Sequence, residues 1–159
     1  MPKQAVHAIA DQLDIKPMAG TGTDLLQDEH LQAIADYANG ARLIVIDSLS
    51  LFHLGDENDS AAMAHLFNQL EKLGIQTGAA VLFLHYINNS VLIDSARWAV
   101  SIRRMTTGES KKLTENPFIK DPIGDDNRGS YVRLNFTKID YAPPMEQQWY
   151  QRDSNGVLF

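Results

Sequence analysis

Two apolar segments that each run into a polar side chain, set one helix apart, constrain this chain more than any other feature. The first is Arg42-Leu43-Ile44-Val45-Ile46-Asp47-Ser48-Leu49 and the second is Ala79-Ala80-Val81-Leu82-Phe83-Leu84-His85. Between them Met63, Leu66, Phe67, Leu70 and Leu73 recur at helical spacing, behind Asp59 or Ser60 as the capping residue and ahead of Gly74 as the stop. A strand–helix–strand order of this kind requires a parallel crossover. Parallel strands are buried on both faces and present polar groups at their C-terminal ends. The expectation is an α/β fold with a mainly parallel sheet flanked by helices.

The flanking sequence extends that plan. Val6, Ile9, Ala10 and Leu13 follow the period of an amphipathic helix, and Leu13 to Met18 reads as a short strand or connector before the Gly20-Thr21-Gly22 turn. Asp28 is placed to cap a helix with Leu31, Ile34, Ala35 and Ala38 on one face, ended by Asn39-Gly40. After Val91 the texture changes. Trp98 to Ile102 reads as strand, 106–115 as a short helix, and 116–129, rich in Pro, Asp and Gly, as a surface excursion. Tyr131 to Phe136 and Gln148 to Gln151 alternate like a C-terminal antiparallel β ribbon. No repeat and no long linker breaks the chain, so residues 1–159 are expected to form one domain.

Composition narrows the function. The chain has no cysteine, which removes disulfides, thiolate metal sites and cysteine nucleophiles together. No apolar run approaches the roughly 18 residues of a membrane span, and the N-terminus lacks a signal-peptide core, so a cytoplasmic protein is expected. The net charge of −6 argues against a dedicated nucleic-acid-binding domain. The charge is uneven: residues 1–80 carry 4 basic and 11 acidic side chains, residues 81–159 carry 10 and 9. Arg97, Arg103, Arg104, Lys111 and Lys112 form the basic cluster, either as a solvated face or as part of a site.

The strand ends suggest phosphate chemistry. An Asp closing an apolar strand is the pattern by which nucleotide hydrolases hold Mg²⁺. Asp47 fits it, and a plain turn or helix-capping aspartate is the competing reading. His85, at the end of the neighbouring strand, is placed either to contact a γ-phosphate or to bond backbone as a packed histidine. Arg97, beside Trp98, is either an exposed arginine or one that neutralises phosphoryl charge in trans. Lys138 stands as a second such cation at a strand end. His7, His30, His53 and His65 show no metal-ligand spacing. A Gly-x-x-x-x-Gly-Lys-Ser/Thr phosphate loop occurs nowhere in the 159 residues, and Gly108-Glu109-Ser110-Lys111-Lys112 lacks its spacing. The sequence thus carries half of an ATP site.

Taken in order, the blocks Leu43–Leu49 with Phe52-His53, Val81–Tyr86, Ser90–Asp94 with Arg97-Trp98, Phe136–Pro144 and Gly156-Val157-Leu158 resemble the plasmid- and phage-encoded RepA-type replicative helicases. The resemblance covers nearly all of 2–159. It implies a partial RecA-like ATPase core that acts with ATP and Mg²⁺ once a phosphate loop completes it, and a homo-oligomeric, hexameric ring or assembly with complete ATPase subunits. By motif, Asp47 resembles the Mg²⁺-holding Walker B residue with Ser48 beside it, His85 the γ-phosphate sensor, Arg97 the arginine finger and Lys138 a basic residue at the subunit boundary. The resemblance also gives 53–59 and 86–90 the place of loops that contact single-stranded DNA. Tyr86, Asn88, Asn89, Arg103 and Arg104 are the candidate contacts. The chain departs from the family in lacking the phosphate loop and the catalytic Glu, and in its short stretch between His85 and Ser90. A non-enzymatic module for oligomerisation or accessory binding, and a weak single-stranded DNA binder, are the other functions compatible with these residues.

Overall fold

The computed structural model describes residues 12–53, 56, 59–86, 90–115, 118 and 121–159. The N-terminal helix expected over Val6–Leu13 lies almost wholly outside them. The chain divides into two compact units, Met1–Asn88 and Asn89–Phe159.

The first unit holds helix α1 (Asp28–Tyr37), strand β1 (Leu43–Ile46), helix α2 (Ser60–Thr77) and strand β2 (Ala80–Phe83). Of the two readings of Leu13 to Met18, the connector is the one observed, and among the described residues no strand lies beside it to supply a ladder. The crossover is parallel as expected, with Leu43 opposite Ala80 and Ile46 opposite Phe83. Leu31 and Ala35 of α1 and Met63, Leu66, Leu70 and Leu73 of α2 are buried, each set on one helical stripe. Lys72 reaches across to Asp28 at 2.7 Å, so Asp28 sits in the first turn of α1 as an ion-pair partner, and Gln27 takes the capping position.

Two details of α2 depend on packing. Asp59 caps it, accepting from the amides of Ala61 at 2.8 Å and Ala62 at 3.3 Å. Gly74, the expected stop, instead lies inside the helix: a Cβ there would stand 3.3 Å from the Ala79 carbonyl oxygen and 3.5 Å from Val81 Cγ2. Its missing side chain lets α2 lie close against β2. The helix ends one turn later at Gly78, whose φ of +70° only glycine adopts without strain.

Strand burial also departs from expectation. Val81, on the face that α2 covers, shares it with Ile44 and, two residues on, with Ile46 and Phe83. Their neighbours on the other face, Leu43, Val45 and Leu82, are 54%, 53% and 51% exposed. Parallel sheets are normally covered twice; among the described residues the helices of this unit cover one face.

The second unit is a three-stranded antiparallel sheet in the order β3 (Trp98–Arg104), β4 (Tyr131–Ile139) and β5 (Gln148–Gln151). Each strand is longer than or equal to its sequence expectation. Helix α3 (Ser90–Ser95), unanticipated because its six residues are too few to show a period, buries Leu92. Two single turns, α4 (Thr107–Ser110) and α5 (Gly124–Asn127), close the unit over Met105, Ile123 and Tyr131, with Leu113 and Trp149 against them. The expected 106–115 helix shrinks to α4, and the 116–129 excursion contains α5. The observed fold is a mixed α/β chain with a small parallel sheet and an antiparallel ribbon of three strands.

Candidate nucleotide site

Asp47 and His85 leave the same edge of the parallel pair. The Leu84 amide donates to the Ile46 carbonyl at 2.9 Å and the Leu49 amide to the Leu84 carbonyl at 2.8 Å, which carries the ladder past both strand ends. The Asp47–Ser48 peptide is cis. Asp47 is exposed in the turn, whereas Ser48 is buried and occupies the capping position of the short 3₁₀ turn Leu49–Leu51. The competing role of Asp47 as a helix cap is therefore not the one it adopts. A single exposed carboxylate at a strand end suits Mg²⁺, which keeps most of its shell for water and phosphate oxygens. Among the described residues no group of three His, Asp or Glu side chains forms a complete metal cage.

His85 is partly buried, and both of its ring nitrogens are shielded from solvent without a hydrogen-bond partner. A buried imidazole with no partner costs free energy, so the edge holds polar capacity that the fold itself leaves unused. That capacity is the observation by which a phosphate fits here. Tyr86, the next residue, is exposed, and Asn88 and Asn89 lie outside the described residues, as does most of the 53–59 loop.

The remaining candidates belong to the second unit, and Arg97, Lys138 and Arg103 are each held by a neighbour. The Arg97 guanidinium donates to the Tyr141 hydroxyl and sits 5.7 Å from the centroid of that ring, while its backbone carbonyl accepts from the Asp140 amide at 3.1 Å. Lys138 Nζ donates to the Asp94 carbonyl at 2.5 Å and lies 3.6 Å from the Asp140 carboxylate. Arg103 stands directly opposite Arg133 in the β3–β4 register, and Glu109 Oε1 resolves that like-charge contact by accepting from Arg103 at 2.9 Å and Arg133 at 2.8 Å. Hydrogen bonds from the Thr106 amide and hydroxyl, and then the two guanidinium charges, hold the Glu109 carboxyl below its ordinary range against the opposing effect of burial. Arg104 is exposed at the far end of β3.

Sequence reasoning missed Glu109, Arg133 and Tyr141, the partners of these cations. Only Glu109 had a local signal: Thr106-x-x-Glu109 is a capping box, with both reciprocal bonds formed.

Residues 3–90, just over half of the chain and including β1, α2, β2 and the Asp47 and His85 turns, match the AAA domain family. This chain belongs to that family. An AAA domain is an ATPase-type unit, consistent with use of ATP and Mg²⁺, and Asp47 and His85 lie within the matched span. The match ends at residue 90, so Arg97, Arg103, Arg104 and Lys138 lie beyond the part of the chain that the AAA domain covers. Among the described residues no helix is long and apolar enough to cross a membrane.

Proposed function

We propose that this chain is the C-terminal portion of a RepA-like, RecA-type replicative helicase ATPase, with residues 1–159 acting as one partial domain. The carrying observation is the shared edge of Asp47 and His85, with the histidine nitrogens unpartnered, inside the AAA domain match. Asp47 would hold Mg²⁺ through its exposed carboxylate, with Ser48 lining the turn, and His85 would sense the γ-phosphate by hydrogen bonding. Mg²⁺, when bound, neutralises charge on the phosphoryl oxygens. Arg97 would act in trans on a neighbouring subunit's nucleotide, which requires the guanidinium to leave Tyr141, and Lys138 would lie at that boundary. The chain would assemble as a homo-oligomeric, hexameric ring or with complete ATPase subunits, and the phosphate loop that the 159 residues lack would come from such complete subunits or from sequence outside these residues. Single-stranded DNA would meet the segments after His53 and His85, at Tyr86, Asn88 and Asn89, with Arg103 and Arg104 as further contacts.

The test is direct. Paramagnetic Mn²⁺ with ATP should broaden the amide signals of Ser48, Leu49 and His85 first, and Asp47→Asn should abolish that selectivity. Broadening centred elsewhere would overturn the reading. The chain alone should hydrolyse no ATP, because backbone donors and the lysine of a phosphate loop supply most of the phosphate affinity. Robust turnover lost in Asp47→Ala would refute the half-site account.

The open apolar face at Leu43, Val45 and Leu82 favours a second reading, a non-enzymatic module that docks on complete ATPase subunits. Co-elution with such a subunit in the absence of any Mn²⁺·ATP response would select it.

A further inference from the structure

Two Asn-Gly pairs stand in this chain, Asn39-Gly40 and Asn155-Gly156. Asparagine is a thermolabile residue, and a following glycine lacks the Cβ that would keep the asparagine carboxamide away from the next main-chain nitrogen. The fold treats the two pairs differently.

Asn39-Gly40 forms the middle of the turn that leads from α1 to β1. The Ala41 amide donates to the Ala38 carbonyl at 2.9 Å, which closes the turn with Gly40 at its third position and a φ of +84°. Asn39 is exposed. Among the described residues its carboxamide has no hydrogen-bond partner, and the Gly40 amide has no acceptor. A Cβ placed on Gly40 would meet nothing within 4 Å, so the space about that nitrogen is open.

Gly156 has the same φ of +84°, yet its amide donates to the Asp153 carbonyl at 3.1 Å. Asp153 Oδ1 also accepts from the Asn155 amide at 2.9 Å and the Val157 amide at 2.8 Å. The nitrogen that follows the asparagine is held in this pair and unheld in the other.

We infer that Asn39 is a site of spontaneous deamidation, with water as the reactant, and that Asn155 is protected. Hydroxide takes the proton of the Gly40 amide, and that nitrogen attacks Asn39 Cγ. The N–Cγ bond closes a succinimide ring. The Cγ–Nδ2 bond breaks, and Nδ2 leaves as ammonia with a proton from water. A second water opens the ring at either carbonyl, giving aspartate or isoaspartate at position 39. The sum converts carboxamide and water to carboxylate and ammonium.

The product alters this end of the unit. The new charge falls at the carbonyl end of α1, where the last turn has no basic residue. Asn39 and Asp36 line one cleft of about 400 Å³ with Gln32 and Gln76, so a second carboxylate joins the first there. Isoaspartate also lengthens the main chain inside the turn that leads into β1. The site precedes β1 whereas Asp47 follows it, and the inference is independent of the nucleotide-site reading.

The full chain, aged in the folded state at mildly alkaline pH, tests this by peptide mass. Trypsin cuts after Arg42 and Arg152, so Asn39 and Asn155 are each the only asparagine of their peptides. A gain of about 1 Da, with carboxyl methylation by an isoaspartyl methyltransferase, should appear at Asn39 about tenfold faster than at Asn155. In urea the two rates should converge, because the Asp153 bonds are lost. Asn39→Gln, whose longer carboxamide closes a ring far more slowly, should abolish the early labelling, and Asn155→Gln should leave it unchanged. Equal rates in the folded chain, faster reaction at Asn155, or early labelling that survives Asn39→Gln would each overturn the inference. So would a tenfold preference that persists in urea, since local sequence alone would then account for it.

Discussion

The Leu49 amide donates to the Leu84 carbonyl at 2.8 Å, three residues beyond the paired end of β1 and one beyond that of β2. That bond ties the turn containing Asp47 and Ser48 to the exit that carries His85. A shift of either strand by one register step would invert its side chains and separate the two polar ends.

His85 should be a residue whose removal helps the fold. Its ring nitrogens are buried without partners, so His85→Leu is expected to leave stability unchanged or raise it by up to about 1 kcal/mol. Urea unfolding of the two proteins side by side checks this; a clear loss of stability would mean that the imidazole has a structural partner. The same variant should lose any response to ATP.

Asp59 caps the longest helix of the chain through two amides. Asp59→Ala should cost about 1 kcal/mol, and Asp59→Asn much less, since the amide oxygen can still accept. Chemical denaturation midpoints at constant slope provide the measurement.

Glu109 gives the second unit an acid-sensitive joint. Its carboxyl is held below the ordinary range, so the stabilisation is present above the unfolded-state value, near 4.5, and disappears as pH falls through the lower folded-state value. Glu109→Gln keeps an acceptor for the capping box but removes the charge shared by Arg103 and Arg133. We expect a loss of about 1 kcal/mol at neutral pH and a flatter stability profile below pH 4.5.

Tyr131 supplies the alkaline counterpart. Burial first, and then the Glu115 carboxylate that accepts its hydroxyl, push its pKa up to about 12. The folded state favours the neutral phenol, so this contribution is intact below pH 10 and is lost as pH rises through about 12. Phenolate absorbance should show a late-titrating tyrosine that Tyr131→Phe removes.

Local pattern went a long way here. The 3.6-residue period of α2, the apolar runs of β1 and β2, and the alternation of β4 and β5 are consequences of chain geometry, so they are legible without a partner in view. The parallel pairing followed from the helix between the strands, and with it the common edge of Asp47 and His85. What escaped were choices made by contact. Gly74 reads as a helix stop, yet its bare Cα lets α2 approach Ala79 and Val81, and the helix runs on to Gly78. Arg97, Arg103 and Lys138 read as free cations, yet Tyr141, Glu109 and the Asp94 carbonyl hold them, two of these partners more than 40 residues away in sequence. The sequence alone determined where the longest described helix and the strands of both sheets begin, and which strand ends carry polar groups. Tertiary structure alone decided which cations are neutralised and which sheet face stays open, because pairing between distant residues depends on the folded register and leaves no local period.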